Sequence, residues 1–153
     1  MTPRAEKCRI RPSGFFTAPH SLSIRNAHLT SASMRYYLRK NTLIVRGKFR
    51  AASNGAAGGL RDTETLLNIS IPPGFSENAA EYIDRRSSEL GFLQPQFGLL
   101  TAVPIHNLCI AQYDEITVFA TAAVSDRNRT INLIVTCAKP LTDAALLGAL
   151  MTV

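Results

Sequence analysis

No apolar run in these 153 residues approaches the roughly 18 that a membrane-spanning helix needs, and the first thirty residues have no apolar export core. A membrane partner is therefore not expected, and the expected compartment is the cytoplasm. Cysteine is scarce: Cys8, Cys109 and Cys137 cannot all pair with one another, and no two stand at metal-ligand spacing. No metal is expected, and Cys109 and Cys137 read as small core residues in strands. The familiar catalytic words are missing too. There is no Gly-Lys-Ser/Thr phosphate loop, no GxGxxG, no GxSxG elbow, no HExxH and no Cys-His signature. Nucleotide binding is excluded on that ground.

Acidic residues are nearly absent from the first third. Residues 1–50 hold 11 Lys+Arg against Glu6 alone, a charge of +10. Residues 51–153 hold 6 against 10, a charge of −4, and together they make the +6 of the whole. The basic character thus belongs to an N-terminal arm, residues 1–32, with Pro3, Pro12, Gly14 and Pro19 and weak periodicity, expected to be only partly ordered. Its acid-poor, Arg- and Ser-containing composition also resembles an organellar transit peptide. Electrostatic binding of nucleic acid ranks third among the functions considered, because no recognition motif accompanies the charge.

What is present is the composition of an ordinary globular domain, 46% apolar and 18% charged, over residues 33–153. Ser33–Leu38 and Thr42–Phe49 flank Arg39-Lys40-Asn41 as a hairpin would. The second strand runs into Ala51-Ala52-Ser53-Asn54-Gly55-Ala56-Ala57-Gly58-Gly59-Leu60, whose glycines would let backbone approach a ligand or make a bend. Asp62–Ile71 reads as a helical turn followed by a strand, stopped by Pro72-Pro73-Gly74. Ser76 is expected to cap a helix reaching about Leu90, with Glu81 paired to Arg85 and Gly91 after its end. Phe97–Val103 and His106–Gln112 read as strands, and His106 as a turn residue. Asp114-Glu115 turns the chain into Ile116.

Thr117–Val124 and Ile131–Cys137 are β-branched and apolar on both faces, as suits strands covered on both sides. The polar Ser125-Asp126-Arg127-Asn128-Arg129-Thr130 separates them. Pro140 ends the extended run, Thr142 can cap a helix, and Asp143 suits its first turn. Leu146, Leu147, Leu150 and Met151 give that helix a broad apolar stripe, for which self-association into a homo-oligomer is one outlet. Seven strands and two or three helices suggest an α+β (or α/β) single layered domain with a mixed, largely antiparallel sheet covered by helices.

Several words occur in the order in which the adenosylcobinamide amidohydrolase family carries them. They are the Ala51–Leu60 segment, Gly98-Leu99-Leu100-Thr101-Ala102, Ala120-Thr121-Ala122-Ala123-Val124-Ser125, Arg129-Thr130-Ile131-Asn132, and Pro140-Leu141-Thr142-Asp143-Ala144-Ala145-Leu146. The chain resembles that family from about Tyr36 to Val153. Family members continue beyond the position of Val153, so the domain is expected to be incomplete at its C-terminus.

The resemblance implies a corrinoid substrate, with no separate cofactor, and hydrolysis of the amide joining aminopropanol to the corrin ring. It implies adenosylcobyric acid as product, in cobalamin-precursor salvage. Such a reaction needs an activated nucleophile or water, an oxyanion stabiliser and an acid for the departing amine. Asp126 suits the general base, Ser125 or Thr121 the nucleophile, and Asn54 with the Gly55 amide the oxyanion donors. Ser53, Gly58, Gly59, Thr101, Thr130 and Asn132 complete the expected substrate-binding set. If the Gly-rich segment and the 125–130 loop reach one sheet edge, they flank one groove. The competing function is a non-catalytic corrinoid-binding or interaction domain.

Overall fold

The computed structural model describes residues 34–93, 96–123 and 130–152. The expectations for the basic arm, Ser125 and Asp126 fall outside them. Within them the chain forms β1 (Arg35–Arg39), β2 (Thr42–Ser53), β3 (Gly59–Ser70), α1 (Ala79–Glu89) and β4 (Gln96–Thr101). A 3-10 turn at Ile105–Asn107 leads to β5 (Cys109–Tyr113), β6 (Ile116–Ala122), β7 (Ile131–Cys137) and α2 (Asp143–Leu150). This is a small α+β domain with two mostly antiparallel sheets, in the orders β1-β2-β3-β4 and β5-β6-β7.

Local chemistry sets the connections. Lys40 and Asn41 have φ of 47° and 56°, the left-handed pair that joins two strands with the twist a hairpin needs. Asp114, at φ 50°, turns β5 into β6. A parallel neighbour requires a crossover, and α1 supplies it between β3 and β4. The cap of α1 is Asn78 and not Ser76: its Oδ1 accepts from the amides of Ala80 and Glu81, because the extended backbone reaches the helix two residues later than expected. Gly91 follows the helix at φ +87°, as anticipated. Arg85 pairs with Glu77 at 2.6 Å, the partner contributed by the entry to the helix and not by Glu81.

The core has two halves on either side of the first sheet. Ile44, Leu67 and Ile69 meet Ile83 and Leu90 of the α1 segment. Leu43, Val45, Leu66 and Phe97 meet Phe119 and Ile134 of the second sheet, and Tyr36 stands edge-on to Phe119 at 5.1 Å. One face of the mixed sheet is thus covered by a helix, as expected, and the other by a second sheet. The strands covered on both sides are β2 and β3, where Leu43, Ile44 and Val45 in succession are fully buried.

This corrects the expectation for Thr117–Val124 and Ile131–Cys137. In β6, Thr117, Phe119 and Thr121 alternate inward, while Ile116, Ile131 and Val135 are 43%, 66% and 46% exposed on the outer face. Their apolar character matches a two-sided strand, but among the described residues nothing covers the outer side. Cys109 is likewise exposed and Cys137 only partly covered. Asp62–Ile71 contains no helical turn; all of it but Ile71 belongs to one long strand, held by pairing with β2 from Ser53↔Gly59 to Thr42↔Ile69. His106 lies in the 3-10 turn, and the strand begins only at Cys109.

The last helix is fixed at its start. Thr142 Oγ accepts from the Ala145 amide at 3.2 Å, and Asp143 takes a two-pronged contact from Arg50, Nε to Oδ1 at 2.9 Å and Nη2 to Oδ2 at 2.7 Å. The hydrogen bonds from Arg50 hold the Asp143 carboxyl below the usual aspartate range. A carboxyl whose folded pKa is lowered stabilises the fold above its unfolded pKa, about 3.9. That contribution is lost as pH falls through the lowered value. Asp143→Asn should lower the melting temperature by at most a few degrees at pH 7, since the pair is solvent-screened. The difference from the parent should shrink as the pH is taken below about 3.9; a difference that grows on acidification contradicts the anchor.

Candidate functional site

The apolar run Leu66-Leu67-Asn68-Ile69 of β3 holds one amide side chain, and strand alternation turns it toward the second sheet. Asn68 is 1% exposed. A buried amide is costly unless its atoms find partners, and Asn68 finds them on both strands opposite. Its Nδ2 donates to Thr121 Oγ1 of β6 at 2.9 Å, and its Oδ1 accepts from Asn132 Nδ2 of β7 at 3.0 Å. The same Asn132 nitrogen donates to the Leu100 carbonyl of β4 at 2.8 Å. Three side chains thereby tie the ends of β3, β4, β6 and β7 together.

The Gly-rich segment reaches the same strand. It is the turn of the β2–β3 hairpin, closed by Gly58 N–H donating to the Gly55 carbonyl at 3.0 Å, with Ala57 at φ 54°. A β-carbon at Gly55 would stand 2.8 Å from Leu99 Cδ2 and 3.1 Å from the Gly98 carbonyl, so the turn lies directly against β4. Leu99 is the register partner of Asn68, and Leu100 accepts from Asn132. Arg61 clamps the arrangement, its Nη2 donating to the Ala57 and Gln96 carbonyls at 3.0 Å each while its guanidinium covers the Phe97 ring. Gly55 and Asn132 thus both contact β4, at Gly98–Leu99 and at Leu100, while the 125–129 part of the loop expected beside the Gly-rich segment lies outside the described residues. On the helix side of the turn, a depression of about 410 Å³ runs between Ala56-Ala57 and α1, floored by Ile83 and Phe92.

The fates of the individual candidates differ. Asn132 and Thr130 are half-buried at the start of β7, and the Thr130 carbonyl accepts from Ala123 N–H at 3.3 Å, extending the β6–β7 pairing. Thr121 is fully buried and its hydroxyl serves Asn68. It has no exposed surface in this arrangement. Thr101 is fully buried too, its Oγ1 accepting from Val103 N–H at 3.0 Å at the end of β4. The Gly55 amide donates to Ser53 Oγ at 3.1 Å and is not free to serve as an oxyanion donor. Asn54 and Gly59 are exposed, and Ser53 and Gly58 partly so. Asp143, read as a residue of the helix's first turn, is committed to Arg50. The residue that the sequence did not single out is Asn68; its signal was an amide isolated in a run otherwise suited to burial. Among the described residues no group of three His, Cys, Asp or Glu side chains could hold a metal ion, and no helix is long and apolar enough to cross a membrane.

The segments that meet at β4 are the ones whose words match a known family. The sequence model of adenosylcobinamide amidohydrolase matches residues 26–153. The chain belongs to the adenosylcobinamide amidohydrolase family. It is 34% identical over 126 residues to an adenosylcobinamide amidohydrolase of Methanosarcina mazei, covering 78% of this chain and 63% of the relative. The chain thus spans somewhat less than two thirds of that relative's length. No solved structure matches it.

Within this family member, Gly58 is where the turn tolerates no side chain. A β-carbon there would stand 2.3 Å from the Ser53 carbonyl and 2.8 Å from that of Gly55, both backbone atoms that cannot swing aside. Gly58→Val should open the turn and cost roughly 1–3 kcal/mol of stability, read as a fall in melting temperature. An unchanged melting temperature would show that the turn is not built this way.

Proposed function

We propose that the protein hydrolyses the amide linking aminopropanol to the corrin ring of adenosylcobinamide, releasing adenosylcobyric acid in cobalamin-precursor salvage. Family membership across residues 26–153 carries the reading. It is supported by the meeting of the Gly-rich turn with the Asn68–Thr121–Asn132 cluster on one strand. The corrinoid is the substrate, and no separate cofactor or metal is invoked. The setting is cytoplasmic, nucleic acid and membrane are not partners, and a homo-oligomer would use the apolar surface that Leu147 and Met151 expose.

In this reading a water or the Ser125 hydroxyl adds to the amide carbonyl carbon while Asp126 takes its proton. The C–N bond then breaks, and the nitrogen leaves with a proton as aminopropanol. If Ser125 is the nucleophile, a water then cleaves the Ser125 ester, returning the hydroxyl and freeing the acid. Asn54 is the exposed amide beside the Gly-rich turn and suits contact with the corrin's polar rim. Ser53, Gly58 and Gly59 shape that turn, and Thr130 and Asn132 flank the other side.

The second reading, a corrinoid-binding domain without catalysis, is favoured by one observation. It is that two groups suited to the chemistry are occupied within the fold, Thr121 being buried and the Gly55 amide donating to Ser53. Incubation with adenosylcobinamide followed by mass spectrometry separates the two. Release of aminopropanol with adenosylcobyric acid is the expected result; binding without cleavage selects the second reading, and absence of binding removes both. Asp126→Asn should lower kcat by about 10²–10⁴-fold with little change in KM. An equal kcat rules Asp126 out as the base.

A further inference from the structure

The orientation of the two asparagine amides follows from one fixed point. The Leu100 carbonyl can only accept, so the Asn132 atom 2.8 Å from it is the NH₂ group. That nitrogen also meets Asn68 at 3.0 Å, so the Asn68 atom facing it is Oδ1, and Asn68 Nδ2 is left to donate to Thr121 at 2.9 Å. Both amide protons of Asn132 are thereby committed. Its Oδ1 is the remaining hydrogen-bonding atom of the side chain, and among the described residues no group donates to it. Asn132 is half-buried at the start of β7, whereas Asn68 is 1% exposed.

We infer that Asn68 is a positioning residue, which locks the Asn132 amide so that Oδ1 faces the ligand as a hydrogen-bond acceptor for an N–H or O–H group. An amide of the corrin rim or the scissile secondary amide offers such a proton, a carboxylate or phosphate does not. The inference rests on the corrinoid reading of this site. Without Asn68, Asn132 keeps only the Leu100 contact, and its terminal torsion, which has a broad and shallow preference, is no longer set.

The test combines affinity with a cycle of variants. Corrinoid dissociation constants are measured by absorbance titration for the parent, Asn68→Leu, Asn68→Asp, Asn132→Ala and the Asn68→Leu/Asn132→Ala pair, with kcat and KM where turnover occurs. Asn68→Leu is expected to weaken binding about tenfold, the scale of one hydrogen bond, and to raise KM with kcat little changed. Asn68→Asp keeps an acceptor for Asn132 and can accept a hydrogen bond from the Thr121 hydroxyl, so it should stay within about threefold of the parent. In the Asn132→Ala background, Asn68→Leu should add no further loss, because the group it orients is gone. The position is overturned if Asn68→Leu binds as the parent does, or if its loss is the same in the Asn132→Ala background. Should Asn68→Leu fail to fold, the Asn68→Asp comparison decides: a tenfold loss there contradicts the proposal. The Asn132 side-chain NH₂ protons, followed by NMR, give a readout without ligand. They should be protected from exchange in the parent and lose protection in Asn68→Leu. If that holds while the parent binds no corrinoid, the corrinoid reading fails and the orientation of Asn132 stands.

Discussion

The amide of Asn68 is the constraint that the rest of the architecture has to respect. Burying it alone would cost roughly 1–3 kcal/mol for each unsatisfied group. The fold meets that cost by bringing a hydroxyl from β6 and an amide from β7 to one point. Two sheets joined only by Leu, Val, Ile and Phe contacts can slide, because apolar attraction has no direction. Hydrogen bonds do not allow that. The amide ties the second sheet to the first at a defined point. The contact of Asn132 with Leu100 brings β4 into the same arrangement.

β4 also receives the Gly-rich turn, at Gly98 and Leu99. The β2–β3 ladder is irregular between Arg46 and Phe49. Such an irregularity bends a hairpin, and the turn lies against Gly98 and Leu99. Arg61 holds it there through two carbonyls and the Phe97 ring. Gly98 has its own reason to be glycine: a β-carbon would stand 2.5 Å from Ile83 Cγ2, so α1 could not seat at its observed depth. One strand therefore takes a helix on one face, a turn alongside it and a polar cluster at its end.

Much of this was legible where local chemistry decides. Lys40-Asn41, Asp114, Gly91 and Thr142 each punctuate the chain as their residue types require. Reading failed where a decision depends on what lies across the core. β6 and β7 are as apolar as β2 and β3, and composition does not reveal which pair is covered twice. Ser76 and Asn78 are both competent caps, and only the path of the preceding loop selects Asn78. Thr121 carries a hydroxyl in a matched word, which made it a nucleophile candidate; its burial under Asn68 became visible only with the sheets packed together. Asn68 does not stand out in the sequence because its partners lie 53 and 64 positions away along the chain.

The central claim is that the ligand site lies where the Gly-rich turn, the end of β4 and the facing ends of β6 and β7 meet. Backbone amide shifts recorded by NMR during titration with a corrinoid test it most directly. The account predicts the largest changes at Gly55, Leu100, Ala122, Ala123 and Asn132, with β1 and α2 little affected. Changes confined to α2 or to the outer face of β5–β7, around Tyr113, Ile116 and Val135, would contradict it.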